Sequence, residues 1–222
     1  MDPSNYGTYL VTQQSISEGR STVDIVRAAI DGGVDVVQLR EKGTEAGFRY
    51  DLGLELRELT AETGVDLIVN DRIDIAQAID ADGVHVGQSD LPVAVARELL
   101  GPDAIVGCST STVEEALEAE AAGADYLGIG AVYGTSSKDV AAEEDGVGPE
   151  RIAKITDTVS IPAVGIGGIT SDNAGPVVEA GATGVAVVSE ITAADGPQAA
   201  TAALAETVET AKGVANGSTA DE

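Results

Sequence analysis

One short phrase recurs along this chain and restricts its fold more than any other feature. Asp-Gly-Gly-Val-Asp at residues 31–35 returns as Ala-Asp-Gly-Val at 81–84, Ala-Gly-Ala-Asp-Tyr at 122–126 and Ala-Gly-Ala-Thr-Gly at 180–184. Each phrase closes a helical pattern with glycine at or near the C-terminal cap and then opens a short β-type run. Read on this framing, strands are predicted at 8–12, 34–39, 67–70, 84–86, 104–108, 126–131, 163–166 and 184–188. Helical spacing fills the intervals at 21–30, 44–62, 73–79, 91–100, 112–122, 149–156, 173–180 and 197–212. Strict alternation of eight strands with eight helices predicts an α/β protein, a (β/α)₈ TIM barrel in a single domain over residues 1–212. The small, acidic stretch 213–222 is expected to be a disordered tail. Periodicity does not show closure, so a doubly wound sheet is the alternative.

Charge excludes one class of partner. Twelve basic against 38 acidic residues give a formal net charge of −26, which repels nucleic acid. The acidic residues are spread over the helices, the pattern of a surface adapted to high salt, where self-repulsion is screened. Cys108 is the only cysteine, so no disulfide framework exists and a cytoplasmic location is expected. No signal peptide is visible at the start, and no apolar run is long enough for a membrane span. His85 is the only histidine, which excludes any mechanism that needs two.

In a parallel barrel the residues just after each strand share one rim, where sites on this fold lie. The run from 66 to 90 carries two such ends, Asn70-Asp71 and Gln88-Ser89-Asp90. Two carboxylates converging there suit a hard divalent cation such as Mg²⁺, with substrate phosphates completing its shell. As an alternative, Asp71 and Asp90 serve only as helix N-caps. Strand 2 ends in Gln38-Leu39-Arg40-Glu41-Lys42, strand 5 in Ser109, and strand 6 opens into Thr135-Ser136-Ser137-Lys138. Cations are scarce in this chain, so Arg40, Lys42 and Lys138 at strand ends beside the Asp pair suit a diphosphate, which Arg can grip in bidentate fashion. The competing reading pairs Arg40 and Lys42 with carboxylates such as Glu41.

A second anion site is predicted where Gly167-Gly168, Thr170 and the helix from Asp172 lie beside Val188-Ser189. Glycine there lets backbone N–H groups approach a phosphate closely. A tight turn is the simpler reading. His85, between Val84 and Val86, reads as a packed and hydrogen-bonded residue, and Cys108 as a small apolar one. Ser136-Ser137 reads equally as solvated loop, and the Glu-rich segment 141–145 as a flap at the rim.

These residues resemble a known family. YLVT, VVQLREK, IVNDRIDIAQAIDADGVHVGQSD, GADYLGIGAVYGTSSK, IPAVGIGGI and GATGVAVVSEI, in that order over residues 8–191, strongly resemble thiamine phosphate synthase. The resemblance implies a (β/α)₈ barrel that joins 4-amino-5-hydroxymethyl-2-methylpyrimidine diphosphate to 4-methyl-5-(2-phosphoethyl)thiazole. The products are thiamine phosphate and diphosphate, and Mg²⁺ is required. By position it assigns Gln38, Arg40, Lys42, Asn70, Ser109 and Lys138 to the pyrimidine diphosphate. Arg40, Lys42, Lys138 and Ser109 then carry the catalytic roles, and Asp71 and Asp90 hold the metal. Thr135, Ser136, Ser137, Gly167, Val188 and Ser189 fall to the thiazole phosphate. Small-molecule substrates are the implied partners, with a homo-oligomer left open. Three departures stand out. The usual Thr-x-Thr-Lys is Thr135-Ser136-Ser137-Lys138, the usual Ser-Ala-His is Ser109-Thr110-Ser111, and Glu190 stands where Ala is usual beside the phosphate cup.

Three other readings compete. A thiazole tautomerase would need a base and no diphosphate site. A non-catalytic thiamine-phosphate-binding module would have no use for a full set of leaving-group residues. Sugar-phosphate isomerase barrels share the glycine cup without a second, metal-bearing site.

Overall fold

The structure, a computed structural model, describes residues 2–134 and 146–218. Eight parallel strands run in sequence order: β1 (Thr8–Val11), β2 (Val36–Leu39), β3 (Asp66–Asn70), β4 (Gly83–Val86), β5 (Ile105–Thr110), β6 (Tyr126–Ile129), β7 (Ala163–Ile166) and β8 (Gly184–Val187). Thr8, Tyr9 and Leu10 pair with Val185, Ala186 and Val187, so β8 closes on β1 and the sheet is a barrel rather than a doubly wound sheet.

Helices surround it: α1 (Thr22–Asp31), α2 (Ala46–Thr63), α3 (Ile73–Ala78), α4 (Val93–Leu100), α5 (Val113–Ala121), α6 (Pro149–Thr156), α7 (Gly175–Glu179), α8 (Ser189–Thr192) and α9 (Pro197–Ser218). The single turn α8 is absent from the sequence-based prediction because four residues carry no periodicity. The end of α9 is a correction: residues 213–218 continue the helix that was expected to stop at Lys212. Val208 and Ala211 are buried and anchor the preceding turns, and each further residue then adds a hydrogen bond at little cost. Residues 219–222 lie outside the described residues.

The recurring phrase does two jobs. Gly33, Gly123 and Gly181 adopt φ values of 89°, 91° and 100°, the left-handed turn that leads from helix to strand. Just before the remaining phrase Asp80 takes that role at φ 53°, whereas Gly83 lies in β4, where a Cβ would stand 2.0 Å from the Ile105 carbonyl oxygen. The aspartates serve the barrel's N-terminal end. Asp35 Oδ2 accepts from the N–H groups of Gly7 and Thr8, Asp82 Oδ2 from that of Leu67, and Asp125 Oδ2 from that of Val106. Three of the four phrases thus satisfy a donor at the start of the strand before them, and in the fourth Thr183 Oγ1 donates to the Ala163 carbonyl oxygen, all at a face that carries stability rather than chemistry.

Two apolar layers result from the period-2 alternation of the strands. Leu10, Val37, Leu67, Val69, Val84, Val106, Leu127 and Val185 point outward into the core shared with the helices. Tyr9, Val11, Val36, Ile68, Tyr126, Val164 and Ala186 point inward and pack with Tyr6. The rings of Tyr6 and Tyr126 meet edge to face at 5.5 Å and those of Tyr6 and Tyr9 at 6.0 Å, plugging the lower barrel. Above the plug Gln38, His85 and Ser109 bring polar groups inward beside Val11, Ile166 and Val188.

Candidate active site

A cavity of about 550 Å³ opens at the C-terminal rim, above the tyrosine plug. Gln38, Arg40, Lys42, Asn70, Asp71, Asp90 and Ser109 line it, together with Gly167, Gly168, Val188 and Ser189. All the predicted site residues among the described ones therefore share one cavity. Thr135, Ser136, Ser137 and Lys138 lie outside the described residues, as does the 141–145 segment.

Arg40 and Lys42 follow β2, and Glu41 between them points elsewhere. Its buried carboxylate accepts from the Gln14 N–H at 2.8 Å and from Thr22 Oγ1 at 3.2 Å. The hydrogen bonds of Glu41 thus go to Gln14 and Thr22, while its charge still acts on Arg40. Arg40 donates from its backbone N–H to Thr12 Oγ1 and from its guanidinium to Gln13 Oε1. Burial lowers the guanidinium's proton affinity, while Asp71 and then Glu41 act in the opposite sense. Lys42 is exposed at the rim.

Asp71 sits at φ 62°, the left-handed region that aspartate tolerates better than most side chains, and its N–H donates to the His85 carbonyl oxygen at 2.9 Å. Burial holds its carboxyl above the ordinary aspartate range, and the neighbouring Asp90 carboxylate adds to this, with Lys42 partly offsetting both. Asp90 Oδ2 accepts from the Gly87 N–H at 2.7 Å. Neither aspartate caps a helix, because the N-cap positions of α3 and α4 are Arg72 and Pro92. Among the described residues no group of three or more His, Cys, Asp or Glu forms a complete metal cage. Two neighbouring carboxylates at the rim are nevertheless oxygen donors of the kind that Mg²⁺ takes, so these residues fit that ion.

On the opposite wall Gly167 and Gly168 have φ values of 106° and 62°. A Cβ on Gly168 would meet the Gly134 carbonyl oxygen at 2.6 Å, so glycine is required by packing against the segment after β6 as well as by the turn. Asn173 Oδ1 accepts from the Thr170 N–H and closes this loop. Helix α7 begins at Gly175 rather than at Asp172, and with five residues it contributes little dipole. Ser189 opens α8, whose first N–H groups have no acceptor within the helix. Glu190 turns back, accepting from the Ser171 N–H at 2.9 Å.

Ser109 lies within β5, not after it, because the strand runs two residues beyond its expected end. Ser111, where a histidine is usual, has its N–H bound by Glu115 and its carbonyl oxygen by Arg151. His85 is a packed, hydrogen-bonded residue as expected, yet one partner is a site residue: Nε2 meets Ser109 Oγ at 2.9 Å and Nδ1 meets Tyr126 Oη at 3.0 Å. Tyr9 and Tyr126 were missed from the sequence, and Gln88, read there as a rim residue after β4, was given no role. Counting inward by twos from Gln38 and Ser109 on the register would have found the tyrosines. Gln88 Nε2 donates to the Ser109 carbonyl oxygen at 2.7 Å. Burial pushes the Cys108 thiol up to about 11, which leaves it a neutral core group.

The thiamine monophosphate synthase family model matches residues 8–191, the whole barrel from β1 to the start of α8. The chain belongs to the thiamine monophosphate synthase family. It is 62% identical over 205 residues to the thiamine-phosphate synthase of Natronomonas pharaonis, covering 92% of this chain and 96% of that one. The thiamine-phosphate synthase of Haloarcula marismortui is 61% identical over 206 residues, covering 92% and 98%. Among solved structures, a thiamine phosphate pyrophosphorylase from Pyrococcus furiosus superposes with a TM-score of 0.86 at 39% identity, covering 95% of this chain and 98% of that one. The chain is thus a transferase of thiamine biosynthesis on a TIM barrel. Among the described residues no helix is long and apolar enough to cross a membrane.

Proposed function

We propose that this cavity condenses the hydroxymethylpyrimidine diphosphate with the thiazole phosphate, each on its own wall. The observation that carries this reading is the sharing of one cavity by Arg40, Lys42, Asp71 and Asp90 on one side and by Gly167, Gly168, Val188 and Ser189 on the other. One wall offers cations and paired carboxylates, suited to a diphosphate. The other offers backbone donors and a hydroxyl, suited to a monophosphate without a metal.

Arg40 and Lys42, with Lys138 by resemblance, bind the diphosphate and stabilise the negative charge that grows on it as the C–O bond breaks. Gln38, Asn70 and Ser109 orient the aminopyrimidine, whose ring delocalises the positive charge left on the methylene carbon. Asp71 and Asp90 would hold Mg²⁺, which when bound neutralises leaving-group charge. Ser189 and the glycine cup, with Thr135, Ser136 and Ser137 by resemblance, fix the thiazole phosphate so that its ring nitrogen faces that carbon. The nitrogen lone pair forms the new C–N bond and carries no proton to lose. A base is therefore unnecessary, in keeping with a histidine whose ring nitrogens are both engaged. Lys138→Ala should chiefly lower turnover, and Ser189→Ala chiefly raise the KM for the thiazole phosphate.

The acidic surface supports a role in a salt-rich cytoplasm. None of these roles depends on whether the chain forms a homo-oligomer, and none calls for nucleic acid or a membrane. The deciding experiment measures diphosphate release in high KCl with Mg²⁺. Release that requires both substrates, stops with EDTA and disappears in Asp71→Ala supports the synthase. Binding of the thiazole phosphate with no release under any condition would overturn it in favour of a tautomerase or a binding module.

A further inference from the structure

A continuous hydrogen-bonded chain crosses the cavity floor through five strands. Gln38 Nε2 lies 2.7 Å from Tyr9 Oη, Tyr9 Oη 2.9 Å from Tyr126 Oη, Tyr126 Oη 3.0 Å from His85 Nδ1, and His85 Nε2 2.9 Å from Ser109 Oγ. Its members come from β2, β1, β6, β4 and β5, and its two ends are Gln38 and Ser109, both lining the cavity. Space is cleared for its centre. A Cβ on Gly107 would lie 2.2 Å from the Tyr126 ring and 2.5 Å from His85 Nδ1, and one on Gly128 would lie 2.9 Å from His85 Cε1.

Counting hydrogens gives the chain a direction. Each buried tyrosine has one hydroxyl hydrogen, and leaving it unsatisfied is costly. Tyr9 is 1% exposed, and the amide nitrogen of Gln38 can only donate to it. The Tyr9 hydrogen therefore goes to Tyr126, and the Tyr126 hydrogen to His85 Nδ1. In a neutral imidazole the hydrogen then resides on Nε2, which donates to Ser109 Oγ. Ser109 is left with its own hydroxyl hydrogen to offer to the cavity, and Gln38, its nitrogen anchored, with its carboxamide oxygen as an acceptor.

We propose that Tyr9, Tyr126 and His85 are positioning residues that make Gln38 an acceptor and Ser109 a donor, so that the cavity selects a ring bearing an amino donor and a ring-nitrogen acceptor. This rests on the assignment of Gln38 and Ser109 to the pyrimidine. A 4-oxo pyrimidine carries a carbonyl in place of the amino group and a hydrogen on the adjacent ring nitrogen, so both contacts become mismatched. The opposite polarity requires the Gln38 amide turned over and puts the histidine hydrogen on Nδ1.

His85 is the only histidine in the chain, so the two imidazole nitrogens of the ¹⁵N-labelled full-length protein report on it alone. The expected spectrum at neutral pH is that of the Nε2–H tautomer. Tyr126→Phe, which removes the donor to Nδ1, should mix the tautomers and lower kcat/KM for the pyrimidine diphosphate by about tenfold. The KM for the thiazole phosphate should stay constant. Tyr9→Phe should leave the tautomer intact, since Tyr126 still donates to Nδ1, yet raise the KM for the pyrimidine diphosphate by frustrating Gln38. An Nδ1–H tautomer or an imidazolium in the unaltered protein overturns the relay. So does an unchanged kcat/KM in Tyr126→Phe once its tautomers have mixed. The tautomer is read without substrate, so failure of the synthase reading would appear separately, as absent diphosphate release beside an intact Nε2–H signal.

Discussion

The carboxylate of Glu190 accepts a hydrogen bond from the backbone N–H of Ser171 at 2.9 Å. The bond ties the loop after β7 to the first turn of α8, the two segments that form the glycine-rich cup. The acidic side chain that departs from the family pattern is therefore a clasp, and it still places negative charge beside the proposed phosphate position. Glu190→Gln keeps an oxygen for Ser171 and removes the charge. The KM for the thiazole phosphate is expected to fall by about two- to threefold, the size of a partly screened charge effect, with kcat unchanged. Steady-state kinetics at fixed pyrimidine diphosphate checks this, and a raised KM would count against a phosphate in that cup.

Asp71 is crowded by burial and by Asp90, and its carboxyl is held above the ordinary aspartate range. Between the unfolded value of 3.8 and the raised folded value, the folded chain binds more protons than the unfolded one. Metal-free stability on this account falls as pH rises through that window and then levels off. Asp71→Asn should therefore raise the metal-free melting temperature at neutral pH while lowering turnover by about a hundredfold or more. Mg²⁺ affinity should weaken as the pH is lowered, because the metal must displace the bound proton. Calorimetric titration at neutral and mildly acidic pH measures the linkage.

Glu41 is 4% exposed and holds the Gln14 N–H and the Thr22 hydroxyl. Removing it leaves the buried Thr22 hydroxyl and the partly buried Gln14 N–H without their acceptor and frees the turn that presents Arg40 and Lys42. Glu41→Ala is expected to cost about 2 kcal/mol, or about 4–8 °C in melting temperature for a chain of this size. Glu41→Gln should cost less, since one oxygen acceptor remains. Equal melting temperatures for Glu41→Ala and the unaltered protein would mean that these bonds contribute nothing.

A net charge of −26 on 222 residues implies strong self-repulsion when ions are dilute. At about 1 M salt the Debye length is about 3 Å and the repulsion is screened. Thermal melts should therefore rise steadily from millimolar to molar KCl. An unchanged melt would show that the acidic surface is not adapted to salt.

Local chemistry is what the sequence determined by itself. Glycines at helix ends, apolar runs between them and scarce cations at strand ends are properties of short segments, so the strands, the rim and the residues that come to share its cavity were legible. The sequence also left Glu41 beside Arg40 and Lys42 with no sign of which way it turns, and Asp71 with no sign of its left-handed backbone. It offered no reason to join Tyr9 to Tyr126, which are 117 positions apart. Those relationships exist only once β8 pairs with β1 and the register fixes which side chains share a layer inside the barrel. Closure converts a period-2 alternation within each strand into contacts between strands distant in sequence. Hydrogen-bond partners, burial and crowded charge depend on those contacts, so only the tertiary structure decided them.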